Sequence, residues 1–326
     1  MKEIAQRLRL LFPLSWDTVR PYLLPQTGQA RLGPYYMLWQ SEAWQSIRTC
    51  DGVIFTQGIY HPVCIAQYAL HNYRLWVTGC SRDAYKRFAT HAIWLRDHQR
   101  VMRGIRGCYP YDIPLPDYGS SGGWISGMAQ GEAISVLLRA ELEMPNQGFG
   151  DAALEAANPF RYPLAEGGVV WRATTHDVFF EEVALNPPSH TLNGHLYALW
   201  GLWELNKCKT QMWLSRLIED ARSTLHRHLT MFDSGYWSYY DLLVTPQGYR
   251  RVAIPYYHAL HIAQLRVTSQ MIDDVYMNEV ADRWEGYTHK LLSRTQVIRN
   301  TLQGIFLRYL MRSRGIRFGD RSVLPD

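Results

Sequence analysis

The side chains able to move protons or grip a charged ligand cluster in a few strings of this sequence. Glu181 and Glu182 form an acidic pair in FFEEVALNPPSHTLNG; such a pair is either a solvated loop end or a general acid and base. Tyr240 in WSYYDLLV and Tyr257 in YYHALHIAQL supply phenols, which otherwise fill core space with a satisfied hydroxyl. His258 and His261 have the i, i+3 spacing of a metal pair, but no nearby Cys or third His completes a set, so neither metal nor organic cofactor is expected. Arg172, Arg250 and Arg251 lie close to these strings, and the planar guanidinium fork suits a carboxylate or sulfate. Asn193, before Gly194, reads either as a helix cap or as an orienting amide.

A chain of 326 residues, 47% hydrophobic, can bury a core large enough to hold such groups in place. Its 12 Trp and 21 Tyr suit surfaces that are flat, apolar and hydrogen-bonding at once, as sugar rings require. The net charge of +5 has no dense Lys/Arg run behind it, which argues against nucleic acid and favours an acidic polysaccharide. Cys50, Cys64, Cys80, Cys108 and Cys208 are odd in number and contain no CxxC pair, so they read as reduced, mostly buried thiols. Arg9 and Pro13 interrupt the apolar start, which fails as a signal peptide, and no stretch reaches transmembrane length. A cytoplasmic protein with no integral membrane segment is expected. The start could still touch a membrane surface as an amphipathic segment.

After a Pro- and Gly-punctuated lead-in over residues 1–58, helical periodicity dominates residues 59–326. Helices are expected over 62–74, 81–103, 124–142, 192–206, 210–229, 257–273 and 275–312. In the third of these Ala129, Ala133, Val136, Leu137 and Ala140 share one stripe. HPVCIAQYAL, ISGMAQGEAI, SHTLNGHLYAL and YYHALHIAQL each carry an amide near a helix start: Gln67, Gln130, Asn193 and Gln264, spaced by 63, 63 and 71 residues. That period fits helix hairpins, and a ring of them predicts an all-α fold, an α/α toroid whose inner helices start around one cleft. Residues 104–123 and 161–190 read as long functional loops. Residues 231–256 read as a β-hairpin over the cleft.

Four strings, WISGMAQGEAIS, FFEEVALNPPSHTLNG, FDSGYWSYYDL and YYHALHIAQL, occur in an order that resembles the D-glucuronyl C5-epimerase family over roughly residues 58–290. The resemblance implies an α/α toroid and an isomerase that inverts C5 of glucuronic acid units in a polymer, giving iduronic acid. Such a reaction needs proton-transfer groups on opposite faces of C5 and a cation for the substrate carboxylate. By resemblance Glu182 and Tyr257 are the proton-transfer groups, Tyr240 stabilises the developing oxyanion, and Asn193 orients Glu182 or the sugar. A phenol of ordinary pKa near ~10 would need cationic neighbours, and His258, His261, Arg250 and Arg251 are close in sequence. Gln130, Glu181, Trp124 and Tyr60, in or beside the same strings, complete the expected substrate contacts.

The sequence departs from the family at Val183, where a Tyr commonly follows the EE pair, and at Leu243, where an Arg follows the YDL string. Arg250, Arg251 or Arg172 could supply the missing cation. Residues 1–58 are too few for the N-terminal β-rich region of the family's animal members. Three other functions fit the same residues: a polysaccharide lyase, a glycoside hydrolase pairing Glu182 with Asp177 or Asp241, and an inactive glycan-binding relative. The aromatic-rich C-terminal part, including Trp284, Tyr287 and Tyr309, could cover the core or form a homodimer face.

Overall fold

The computed structural model describes residues 20–21, 32–38, 48–56, 58–79, 81–314 and 321–322. The N-terminal start and Cys80 lie outside these. Eight helices form four hairpins: α1 (Pro62–Val77) with α2 (Arg82–Asp97), α3 (Gly127–Glu143) with α4 (Phe149–Ala156), α5 (Leu192–Cys208) with α6 (Met212–His228), and α7 (Pro255–Ile272) with α8 (Val275–Thr288). Within the set α1 packs on α3, α3 on α5 and α5 on α7. The fold is therefore an incomplete α/α toroid, with inner and outer helices alternating along the chain.

The inner and outer helices differ in pattern. Residues 127–140 of α3, 192–202 of α5 and 258–265 of α7 are buried on every side, as expected of helices enclosed all round. Outer helix α6 buries only the stripe Leu214, Leu217, Ile218, Ala221, Thr224 and Leu225. Helices α3 and α5 touch backbone to backbone: a Cβ added at Gly131 would lie 2.5 Å from Ala198 Cα, and one at Gly201 2.1 Å from the Gly131 carbonyl oxygen. Arg139 of α3 and Glu204 of α5 close the far end of this contact with a buried ion pair. Tyr35, Tyr36, Met37, Val53 and Ile54 join the same core, so the described part of the lead-in packs with the helices it precedes.

The helix expected over 81–103 stops at Asp97, and Arg100–Met102 instead pairs as a strand with Ile105–Cys108. Arg103 and Gly104, both at positive φ, make the two-residue turn that a right-twisted hairpin requires. The helix expected over 275–312 is two: α8, and α9 (Leu291–Ser313). Thr288 ends the first by bonding the Glu285 carbonyl, and Arg294 Nε donates to the Thr288 carbonyl 2.9 Å away. The expected hairpin is present as Tyr239–Val244 and Arg250–Val252, paired Tyr239 to Val252, with Arg321–Ser322 on the other edge of the longer strand. Among the described cysteines, Cys108 is buried and Cys64 partly so, but Cys50 and Cys208 are exposed, which corrects the expectation of mostly buried thiols. No helix among the described residues is long and apolar enough to cross a membrane.

Candidate active site

Glu182 is placed by backbone on three sides. The hairpin Val170–Trp171 with Phe179–Phe180 runs directly into Glu181, whose N–H donates to the Val169 carbonyl at 2.9 Å and whose carbonyl accepts from Gly127 N at 2.8 Å. Ala184 N then donates to the Ile125 carbonyl at 3.1 Å, tying the strand end to the entrance of α3. The Glu182 side chain lies across the start of α5: a Cβ at Gly194 would stand 2.5 Å from its Cβ and 2.8 Å from Oε2. Only glycine leaves this seat open. Asn193 Nδ2 reaches Glu182 Oε2 at 3.4 Å, and Gln264 Nε2 holds the Asn193 carbonyl at 3.1 Å.

Burial raises the Glu182 carboxyl to about 7; Asp241 and Glu181 add to this, while Arg251 and the Asn193 amide oppose it. Tyr257, in the first turn of α7, is pushed to about 12 by burial and then by the Glu182 charge. Burial, with Glu182 and Tyr257 nearby, also raises Tyr240 well above the ordinary phenol range. The Tyr240 and Tyr257 rings meet edge to face, with centroids 4.8 Å apart and planes at 69°. Both tyrosines, Glu182 and Arg251 are partly exposed, so they share a surface that a ligand can reach.

Of the three candidate cations, Arg251 is the one at this surface. Its guanidinium is ion-paired with Asp241 and sits over the Tyr240 ring, 4.3 Å from the centroid; it keeps 35% of its surface, whereas Asp241 keeps 2%. Burial disfavours its charge, but Asp241, Tyr240 and Tyr118 more than offset this. Its Nε has no partner among the described residues. Arg250 instead lies over the Tyr239 ring at 3.9 Å and donates to the Met231 carbonyl. Arg172 is exposed and bonds the Thr175 carbonyl of its own loop.

Several other expected contacts are occupied elsewhere. His258 is buried, stacked on Trp237 at 3.8 Å, with Nδ1 toward Ser238 and Nε2 toward the Trp284 carbonyl. His261 Nδ1 shares the same Ser238 hydroxyl. Burial holds both imidazoles down to about 3, so they are neutral and cannot supply the cation for Tyr257. Gln130 is fully buried; its amide serves Tyr109 N and the Gly107 and Ala156 carbonyls, which anchors the 104–123 loop. Trp124 stacks on Tyr111 at 4.3 Å and donates to the Ile113 carbonyl. Tyr60 packs between Phe55 and Trp94. Glu181 is buried and bonded to its own loop.

Reading the sequence missed two groups near Glu182. Tyr118, in the short turn Pro116–Tyr118, hydrogen-bonds the Ser189 side chain; burial and the Asp241 charge raise its phenol. Glu132, fully buried in α3, accepts from Gln67 Nε2 at 3.0 Å, and burial raises its carboxyl well above the usual carboxylate range. Glu132 is visible in MAQGEAIS as the one acid within the fully buried run 127–140 of its helix; nothing marks Tyr118 beyond its long loop. Asp177, considered for a second carboxyl, pairs with Arg227 at 2.6 Å on an exposed loop. Among the described residues no three His, Cys, Asp or Glu side chains group to hold a metal.

A family model described as D-glucuronyl C5-epimerase C-terminus matches residues 104–286, more than half of the chain. The D-glucuronyl C5-epimerase of Caenorhabditis elegans is 31% identical over 180 residues, covering 51% of this chain and 29% of that protein. An uncharacterized protein of Methanocaldococcus jannaschii is 26% identical over 172 residues, covering 51% of this chain and 54% of its own length. This chain thus spans about half or less of the curated relatives it matches. Among solved structures, the unsaturated glucuronyl hydrolase of Bacillus sp. GL1 aligns with a TM-score of 0.44 and 17% identity, over 67% of this chain and 61% of that one.

Proposed function

The chain belongs to the D-glucuronyl C5-epimerase family, and we propose that its site inverts C5 of D-glucuronic acid units within an acidic polysaccharide or glycan by two-base proton transfer. The observation that carries this reading is one carboxyl at about 7 beside a phenol at about 12, with a single partly open guanidinium next to both. Near neutral pH Glu182 is available as the base and Tyr257 as the acid, which is the division an inversion needs. Glu182 takes the C5 proton while Arg251 holds the substrate carboxylate, where the negative charge grows. Tyr257 gives its proton to the opposite face. Its phenolate, stabilised by Arg251 and the Tyr240 hydroxyl, then regains a proton as Glu182 releases one, through Tyr240 or solvent. Arg251 supplies a cation to this site where Leu243 offers none.

Incubation with several uronate polymers in D₂O tests the reading. Deuterium at C5 without a rise in ultraviolet absorbance is the expected result. A new unsaturated-uronate absorbance would make the protein a lyase, and new reducing ends without absorbance a hydrolase. Binding without either exchange or cleavage would make it an inactive glycan-binding relative.

A further inference from the structure

Glu181 was expected on the substrate, but its surroundings give it other work. Its carboxyl group is fully buried. Oε2 accepts from Ser189 N at 2.9 Å, Ser189 Oγ at 3.2 Å and His190 N at 3.0 Å, and Oε1 lies 2.6 Å from His190 Nδ1. The His190 ring, also fully buried, meets Trp171 and Phe179 edge-on at 4.6 and 5.0 Å, and both belong to the hairpin that leads into Glu181. His190 has φ of 50°, a left-handed conformation that a non-glycine residue keeps only where its surroundings impose it. Between the two residues, Val183 and Leu185 rest on the apolar cluster of Trp124, Tyr111 and Ala129.

We propose that Glu181 and His190 are positioning residues: the Glu181 carboxyl, bonded to Ser189 and to the His190 backbone and packed against the His190 ring, is a staple that closes the strap of residues 182–189 and thereby aims Glu182 at the substrate. The inference rests on Glu182 being a proton-transfer group. The chain bends at Glu182, directly after the anchored Glu181, and the Glu182 side chain lies on the seat at Gly194, so what fixes Glu181 also fixes the stem of Glu182. Three donors converge on Glu181 Oε2 from the far end of the strap, so the strap cannot open without breaking them together. Proton transfer is steep in distance: a misplacement of about 1 Å can cost about 10²-fold.

Glu181→Gln keeps the volume but puts an amide where Oε1 or Oε2 stood. The expected result is a fall of about 10–100-fold in kcat for C5 exchange with KM changed less than about twofold. A second readout is independent of turnover: the Glu182 carboxyl followed through pH by ¹³C NMR, assigned with Glu182→Gln. Glu182 faces Arg251, Asp241, Glu181, Tyr240, Tyr257, Tyr111 and Glu132; of these, Glu181→Gln removes one carboxyl, so the midpoint should fall toward the ordinary range. His190→Asn, which tolerates the left-handed backbone, leaves the Oε2 bonds and the Glu181 charge in place and should lower kcat in the same direction but less. It is the deciding variant if Glu181→Gln does not fold. Unchanged kcat in a folded variant would overturn the staple while leaving the epimerase reading intact, whatever the Glu182 midpoint does. Wild-type protein that exchanges no uronate polymer would remove that reading and the staple with it.

Discussion

Of the arginine–carboxylate pairs in this molecule, Arg139 with Glu204 and Arg251 with Asp241 lie toward opposite ends of the inner helices, and they are built differently. Arg139 and Glu204 are both fully buried; two of the guanidinium nitrogens grip the two carboxylate oxygens at 2.9 and 2.7 Å. The remaining donors reach the Ser135 and Gly33 carbonyls, and Tyr35 and Tyr73 lie against the guanidinium at 5.4 and 5.7 Å. Arg251 and Asp241 also pair, but the guanidinium stays partly open and its Nε has no partner among the described residues. A saturated pair can only hold helices together. A partly open one can still meet a ligand, which is how a scaffold contact and a binding group can be told apart in one protein.

The sharpest way to break this contrast is at the reactive end. Glu182→Gln should lower C5 hydrogen exchange by about 10²–10⁴-fold, read by deuterium incorporation, with helix content unchanged in circular dichroism. At the sealed end, Arg139→Met strands a buried Glu204 carboxylate and should cost about 3–5 kcal/mol in urea denaturation; pairing it with Glu204→Leu should recover most of this. Exchange per folded molecule should be the same in both.

Glu182 also predicts a pH-dependent stability difference. Its folded carboxyl is at about 7, well above the unfolded value of about 4.3, so the folded state holds a proton that the unfolded chain gives up. That stabilisation is full below pH of about 4.3 and is lost as pH rises through about 7. Glu182→Gln should therefore unfold later than the parent at pH 8, by about 2 kcal/mol after solvent screening is discounted, and equally at pH 4. Catalysis has the opposite dependence, because kcat should fall as pH drops below about 7 and the base is protonated. The smallest effect is the same conservative change made at each end. Arg251→Lys should lower kcat/KM about tenfold with stability changed by less than about 1 kcal/mol, whereas Arg139→Lys should lower stability and leave kcat/KM alone.

The inner ring was legible because each inner helix carries an amide, in the first turn for Gln130 and Asn193 but deeper in the helix for Gln67 and Gln264, and each amide is used, Gln67 on Glu132, Gln130 on three backbone groups, Asn193 on Glu182 and Gln264 on the Asn193 carbonyl. What the pattern concealed was local. Residues 98–103 carry helix-compatible side chains, yet a positive-φ turn at Arg103 and Gly104 and pairing with Ile105–Cys108 decide the outcome. The short helix Phe149–Ala156 and the break at Thr288–Leu291 are set by packing and by side chains bonding carbonyls, which a hydrophobic period does not record. In the site, Glu182, Tyr240 and Tyr257 came from separate strings that the fold brings together. Arg251 could not be chosen over Arg250 from sequence, since neighbours on a strand face opposite ways and only the Asp241 partner shows which faces the tyrosines. The histidines were misleading for a related reason: beside Tyr257 in sequence, they turn into the core around Ser238.

The bare main chain under Glu182 constrains anyone redesigning this protein. A methyl group at position 194 would occupy the space of the carboxylate's own stem, so libraries that vary this residue would displace the proposed base before they altered what binds. Substrate preference is better sought at Val183 and Leu243, partly exposed side chains on the two segments beside the reactive groups, where new atoms have room to meet a sugar.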